Sequence, residues 1–416
     1  MTKNPTPNVT LDQALEITPQ CIVKNRLSKS AMSECLGNSE HNPTAELARL
    51  YHTWAHGGTG LLTTGNVMID RNAIGEPGNV VLDQSSDLAM FQQWAEAGRQ
   101  NNTQFWMQLN HPGKQIPNLL CKQPVAPSAI PLAGNGLDKT FNCPRELTET
   151  EILQIIEKFA WAAAQAKECG FSGVQMHAAH GYLMNQFLSP HHNRRDDQWG
   201  GSLENRMRFL REVYRAIRQA VGDDFPIGVK LNSADFQKGG FSEEDSMQVM
   251  QALQDDGVNI IEISGGNYES QNMSGVDVKE STVKREAYFL DYAEKAQKLL
   301  RIPLIVTGGF RSAPAMNAAL ASGATDMIGM ARPLAVDPDL SSKLVADSEH
   351  RITLKQLTTG IAIVDHQSLL NITWYEHQLK LIANGKPTNP GYSTWLSVLR
   401  TFASMGLSFF TQRRRA

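Results

Sequence analysis

From residue 25 onward, short apolar or β-branched runs alternate with longer stretches in which apolar residues recur three and four positions apart. The short runs fit strands buried on both faces, and the longer stretches fit amphipathic helices. Eight short runs can be counted, beginning near Asn25 (NRLSKSAM), Gly60 (GLLTTGNVM), Gln104 (QFWMQLNH), Gly173 (GVQMHAAH), Pro226 (PIGVKLNS), Asn259 (NIIEISGG), Pro303 (PLIVTGGF) and Asp326 (DMIGMARP). Ile152, Ile155, Ile156, Phe159 and Ala163 show the helical spacing, as do Phe209, Val213 and Ile217. Thr148 with Glu151 reads as a capping box, and Ser242 with Asp245 as the same start with a shorter acid. Gly57, Gly170, Gly222, Gly257 and Gly323 close helical segments, where a left-handed cap suits a residue without Cβ.

Strand–helix units repeated eight times predict an α/β chain closed into a (β/α)8 TIM barrel, since a doubly wound sheet would have fewer strands and a switch point. The segment from Pro112 to Thr148, rich in Pro, Gly and Asn, is too long for an ordinary connection and predicts a lid over the barrel mouth after the third strand. Residues 1–345 are assigned to the barrel and 346–416 to a C-terminal helical extension packed on the barrel or on a partner subunit. Gly58, Gly60 and Gly65 are the nearest approach to a dinucleotide fingerprint. They precede a strand and lack the third glycine at the right offset, so they read as a helix-to-strand loop.

Composition narrows the function. Of the 416 residues, 39 are Lys or Arg and 42 Asp or Glu, a net charge of −3. That balance gives no field to attract a phosphate backbone, and the one dense basic run is Arg413 to Arg415, so no nucleic acid partner is expected. Cys21, Cys35, Cys121, Cys143 and Cys169 form no CxxC pair, and an odd, sparse set fits a reducing compartment. With a polar N-terminus that lacks a secretory pattern, the expected location is the cytoplasm. No run reaches about 18 apolar residues, so no membrane span is expected.

Barrel enzymes carry their reactive groups where strands end. Those positions hold Ser30, Ala31, Met32 and Ser33; Gly65 and Asn66; Gln108, Asn110 and His111; His177 and His180; Lys230; Ser264 and Gly265; Gly308 and Gly309; and Ala331 and Arg332. A glycine pair and an arginine on the last two strands suit a phosphate, held by backbone N–H groups and a cation. Three readings stand for His177 and His180: two ligands of a zinc ion, ordinary packed histidines, or imidazole donors aimed at a substrate oxygen. For the third, Tyr182 is a nearby proton source, a phenol whose reference pKa of about 10 keeps it protonated. Ser28, Lys29 and Ser30 make the first strand unusually polar, which fits a barrel-bottom or solvent-facing position.

The stretch MHAAHGYLMNQFLSPHHNRRDDQWGGSLENRMRFL, residues 176–210, closely resembles the segment that marks the old yellow enzyme family of FMN-dependent NAD(P)H:flavin oxidoreductases. NRLSKSAMS at 25–33, TTGNVMID at 63–70, MQLNHPGK at 107–114, and VTGGF with ARPLAVDPDL resemble the family's other strand ends, in order, from about residue 20 to 345. The resemblance implies FMN bound non-covalently, NAD(P)H as a transient hydride donor, and an activated alkene as substrate. It implies that Ala31, Met32 and Ser33 lie along the flavin, and that Gly65 and Gln108 contact its ring. Lys230 would stand at its pyrimidine side, while Gly308, Gly309, Ala331 and Arg332 would hold the phosphate. His177 and His180 would bind the substrate's carbonyl oxygen, with Tyr182 the proton donor. Many relatives have Arg in place of Lys230 and Thr or Cys in place of Ser33, both of which bear on flavin tuning. The absence of cysteine after Arg332 favours the simple ene-reductase form over iron–sulfur relatives. An oxidative dehydrogenase or demethylase on the same cofactor is the alternative, and a metal-dependent hydrolase or lyase using His177 and His180 is the alternative from another class.

Val398, Phe402, Met405 and Phe409 recur at helical spacing before the terminal arginines, predicting a helix docked on its own barrel or on a second subunit. A membrane-surface role is not expected. Deleting residues 395–416 is expected to change oligomer size or solubility while leaving FMN bound. Light scattering coupled to gel filtration, read beside flavin absorbance, checks this, and a folded truncation without FMN would refute it.

Overall fold

The computed structural model describes residues 9–133, 137–267, 269, 289–361, 364–365 and 370–412. Before the barrel comes an antiparallel hairpin, β1 (Leu15–Thr18) and β2 (Cys21–Val23), in a region where no element was expected. The chain then runs β3 (Leu27–Lys29), α1 (Ala45–His56), β4 (Leu61–Met68), α2 (Leu88–Gly98) and β5 (Gln104–Asn110). Over the lid lie β6 (Val125–Ala126), α3 (Leu137–Thr140) and β7 (Arg145–Glu146). There follow α4 (Glu149–Glu168), β8 (Gly173–Ala178), α5 (Leu183–Leu188), α6 (Leu203–Val221), β9 (Ile227–Asn232), α7 (Glu243–Asp256) and β10 (Ile260–Ser264). The last units are α8 (Leu290–Gln297), β11 (Leu304–Thr307), α9 (Ala313–Ala321), β12 (Met327–Met330), α10 (Arg332–Val336) and α11 (Leu340–Ala346). Beyond them lie α12 (Leu370–Ala383) and α13 (Thr394–Gln412).

Strands β3, β4, β5, β8, β9, β10, β11 and β12 pair in parallel and close into a barrel. Each of the eight apolar runs supplies one of these strands. The hairpin plugs the N-terminal end, where Cys21 and Val23 pack with Leu61, Trp106, Ile260, Ile305 and Met327. Trp106 fills that layer because two neighbouring strands present glycine to it. A Cβ on Gly173 would come within 2.5 Å of Trp106 Cε2, and one on Gly228 within 2.8 Å of Cζ3.

The capping signals are realised to different degrees. Thr148 accepts from the Glu151 amide, and the Glu151 carboxylate returns a bond to the Thr148 amide at 2.9 Å. Ser242 accepts from the Asp245 amide at 3.1 Å, but the shorter acid does not reach back and pairs with Arg206 instead. Gly170, Gly222, Gly257 and Gly323 are left-handed, as expected. Gly57 is not: its φ is −65°, and its lack of Cβ serves a close approach, since a Cβ would lie 2.0 Å from the Pro338 carbonyl oxygen.

The polar first strand does not face solvent, because Ser28, Lys29 and Ser30 are all fully buried. Lys29 points outward beneath α1, with Nζ 2.8 Å from both Tyr51 Oη and the Thr63 carbonyl, and 3.4 Å from Glu34 Oε1. The rings of Tyr51 and Trp54 flank it at 4.7 Å. Burial pulls its ammonium down to about 8, with the Glu34 carboxylate opposing. Ser30 turns into the barrel.

Helix α12 packs on α1 and α10, and its Leu370, Trp374, Tyr375, Leu379 and Ile382 share one apolar core with the barrel. Arg49 of α1 donates to the Ala383 carbonyl at 2.7 Å. On α13, which packs on α12, Val398 is buried and Phe402 is exposed, while the Met405 and Phe409 side chains and Arg413 to Arg415 lie outside the described residues. Among the described residues no helix is long and apolar enough to cross a membrane. Replacing Trp106 by Ala should cost about 3–5 kcal/mol, the range for emptying a large buried aromatic site. Urea denaturation measures it, and a near-neutral result would show that the hairpin plug does not depend on the indole.

Candidate active site

Register inside the barrel sets side chains on neighbouring strands against one another. His177 pairs with Lys230 across β8 and β9, and Lys230 with Glu262 across β9 and β10. The ammonium of Lys230 lies 3.1 Å from Glu262 Oε1, with both side chains almost fully enclosed. Gln108 Nε2 donates to Gln175 Oε1 at 2.7 Å, Gln175 Nε2 to Glu262 Oε2 at 2.8 Å, and Thr307 Oγ1 to Glu262 Oε1 at 2.8 Å. Ser30 Oγ continues the belt, 2.8 Å from Thr307 Oγ1. Glycine makes room: at Gly329 a Cβ would lie 1.9 Å from Thr307 Oγ1. Burial alone would raise the Glu262 carboxyl, but the Lys230 charge and the hydrogen bonds from Gln175 and Thr307 hold it below its ordinary value.

Above this belt, β8 ends in the two histidines. The ring centroids of His177 and His180 are 5.2 Å apart, and those of His177 and Tyr182 are 4.8 Å apart. His177 Nδ1 accepts from the Ala179 amide at 3.3 Å, so in the neutral ring the proton sits on Nε2. His180 Nε2 lies 2.6 Å from Ser264 Oγ at the end of β10. Burial, then His180 and the Lys230 cation, holds His177 well below its ordinary value. Burial and Lys230 bring His180 down to about 3, against Glu262. Both imidazoles are therefore neutral near pH 7, and each carries one N–H donor.

The turn that presents them is strained and clamped. His180 has φ 60° and Gly181 φ 77°. Asn232 Oδ1 accepts from the His180 amide at 3.2 Å, Gln115 Nε2 donates to the His180 carbonyl at 3.0 Å, and Asn185 Oδ1 accepts from the Gly181 amide at 2.8 Å. Asn185 and Asn232 are in turn oriented by the buried Asp235, each 3.2 Å from its Oδ1. None of these four was singled out from the sequence, although Asn185 lies within the quoted 176–210 stretch and Gln115 just after MQLNHPGK.

The remaining strand ends divide into two groups. Asn110 and His111 serve the chain itself: His111 Nδ1 accepts from the Gly113 amide at 3.0 Å, and burial pushes its ring down to about 4. Gly65 donates its amide to Glu34 Oε1 and Tyr51 Oη, both at 3.0 Å, so it offers backbone surface. Ala31, Met32 and Ser33 lie on the β3–α1 loop that Glu34 ties to this point. Gly308 (φ 119°) and Gly309 (φ 95°) end β11, and Ala331 and Arg332 end the adjacent β12. These two successive glycines, in left-handed backbone, admit no Cβ without strain, and the strand they end pairs with the one that Ala331 and Arg332 follow. These residues fit FMN: the glycine pair and Arg332 for a phosphate, Gln108 and Lys230 for polar ring edges, and the β3–α1 loop for a ring face.

Metal-ligand spacing occurs elsewhere. Among the described residues it is found at His191, His192 and Glu269, where Lys114 Nζ already stands 2.8 Å from His192 Nδ1.

Residues 13–350 match the NADH:flavin oxidoreductase / NADH oxidase family. The NADH-dependent flavin oxidoreductase iliE of Hypocrea jecorina is 39% identical over 365 residues, covering 82% of this chain and 90% of that protein. In fold the chain is similar to a 2-naphthoyl-CoA reductase solved with 2-naphthoyl-CoA, at 25% identity and a TM-score of 0.77, covering 89% of this chain and 58% of that one. It is also similar to an old yellow enzyme homologue from Zymomonas mobilis, at 23% identity and a TM-score of 0.71, covering 84% and 95% of the two chains. With the family matched along most of its length and the barrel closed in the same way, the chain belongs to the old yellow enzyme family of NAD(P)H-dependent, FMN-using oxidoreductases.

Proposed function

We propose that this enzyme reduces the activated C=C bond of an α,β-unsaturated carbonyl compound or a related alkene, with Tyr182 as proton donor. The observation that carries this reading is the pair of neutral imidazoles at the end of β8, held by an amide clamp beside a tyrosine. Bound FMN would supply the hydride chemistry that links NAD(P)H to the substrate's β-carbon.

The chain's own residues do the rest. His177 and His180, each a neutral N–H donor, hold the substrate's carbonyl oxygen and draw electron density from the β-carbon. A donor aimed at a developing oxyanion in a buried site gains more than the same donor in water, because the surroundings need not reorganise. Tyr182, the N-cap of α5, gives its phenolic proton to the α-carbon. Burial, and then the positive charge of Lys230 in register beside His177, disfavours protonation of both histidines. Gly308, Gly309 and Arg332 would hold the cofactor's phosphate, and Ala31, Met32, Ser33, Gly65 and Gln108 would line its ring.

Stopped-flow reduction of the bound flavin by NADH and by NADPH, followed by reoxidation with an alkene panel, tests the reading. A colourless protein that releases no FMN on denaturation would overturn it, and anaerobic flavin reduction by an amine instead of a nicotinamide would favour the oxidative alternative. Tyr182→Phe should slow reoxidation by alkenes about 100-fold or more, the usual scale for a lost general acid, with no comparable loss in reduction by NAD(P)H. Unchanged turnover with every alkene would remove Tyr182 from the mechanism. Because both histidines stay neutral, reoxidation should show no histidine inflection between about pH 5 and 8. An inflection near 6.5 that His180→Asn abolishes would contradict the neutral state of these rings.

A further inference from the structure

The family match stops at residue 350, yet α12, beyond that limit, reaches the site. Its Tyr375 is buried where Arg332 and Arg311 bear on it: burial raises the phenol, and the two guanidinium charges oppose. The next residue, Glu376, points at the β3–α1 loop. Cys35 Sγ lies 3.7 Å from Glu376 Oε1 and 3.5 Å from Glu76 Oε2. Ser33 Oγ donates to the same oxygen of Glu76 and lies 3.5 Å from Cys35 Sγ. Cys35 holds this position in left-handed backbone, φ 50°, a conformation that costs a residue with a Cβ.

The protons of these four groups have to be placed. A thiol carries one hydrogen and can give it to one acceptor at a time. Two carboxyl groups converge on this thiol, so the second must bring its own proton or stand as an uncompensated charge near the first. One arrangement that satisfies every group, and puts the proton on the carboxyl that burial raises, has the Glu376 O–H donating to the sulfur, the Cys35 S–H donating to Glu76, and the Glu76 carboxylate accepting the Ser33 hydroxyl as well.

The surroundings agree with that placement. Burial, then the Glu76 charge, raises the Glu376 carboxyl to about 7, against Lys380 one turn along α12 and the contact with Cys35. Burial and both glutamates push the Cys35 thiol well up, so it remains a donor. Among the described residues of packed elements, Arg49 of α1 donates to the Ala383 carbonyl, Arg400 of α13 lies 3.5 Å from His377 Nδ1, and Arg332 of α10 bears on Tyr375.

We propose that Glu376 is a positioning residue supplied by the C-terminal extension. Through Cys35 and Glu76 it fixes the Ser33 hydroxyl and sets the charge at that edge of the pocket. The inference rests on the reading that Ser33 lines bound FMN. When Glu376 loses its proton to solvent, a second negative charge joins Glu76 and opposes the addition of electrons to the cofactor.

Potentiometric titration of the FMN-loaded protein across neutral pH, wild type against Glu376→Gln, tests this. The expected result is a midpoint potential that falls more steeply with pH above about 7 in the wild type than in the variant, whose amide keeps a donor to sulfur and cannot ionise. Glu376→Asp should restore the steeper limb. Urea stability gives a readout independent of redox state. A carboxyl raised in the folded state stabilises at low pH, and that contribution is lost as pH rises toward about 7, so the wild type should lose more stability over this window than Glu376→Gln. If that variant does not fold, Glu76→Gln removes the other half of the pair and should flatten the same limb. FMN bound with parallel potential–pH curves would overturn the inference alone, whereas absence of FMN from both proteins would overturn the site reading beneath it.

Discussion

One ion pair sealed inside the barrel holds the site in place. Lys230 and Glu262 sit side by side on β9 and β10, 3.1 Å apart and away from water. Removing either partner would leave the other as a buried uncompensated charge, typically costing about 3–5 kcal/mol. The pair is tolerable because Gln175 and Thr307 occupy the remaining carboxylate positions, and because Gly329 leaves room for the Thr307–Ser30 contact. From that fixed cation follows the chemistry one strand away. Burial, and then Lys230 beside His177 in the register, disfavours a proton on both histidines, which leaves each ring a neutral N–H donor.

A second buried pair works from the other side of the wall. Lys29, beneath α1, engages Glu34 and Tyr51, and the same Glu34 carboxylate takes the Gly65 amide. The loop bearing Ala31, Met32 and Ser33 is therefore tied to β4 and to α1 by one side chain. Helix α12 then meets the far end of that loop through Glu376. Interior belt, outer pair and C-terminal helix converge on one mouth, and each draws on residues distant from the others in the chain.

Much of this was legible in the sequence, and the exceptions share a character. The eight strands could be counted because a strand covered on both faces must be apolar along its length, a local property. The Thr148 cap was legible because its bonds close within four residues. His177, His180 and Tyr182 were legible as polar residues finishing an apolar run. The polar first strand was misread because the partners of Lys29 come from α1 and β4. Gly57 was misread because its neighbour is Pro338, on the other side of the barrel closure. Asn232, Asn185, Gln115 and Asp235 carry no local signal at all: an amide or carboxyl side chain looks the same along the chain whether it faces water or clamps a strained turn.

By itself, then, the sequence, whose motifs resemble the family's, determined the number, order and type of the barrel elements. Those follow from periodicity and short spacing, which depend only on neighbours along the chain. The tertiary structure decided which charges are paired, which tautomer His177 adopts, and that a helix beyond the family's limit brings a carboxyl to the pocket. Burial and strand register set these, and both arise only when a closed barrel brings together residues that lie hundreds of positions apart.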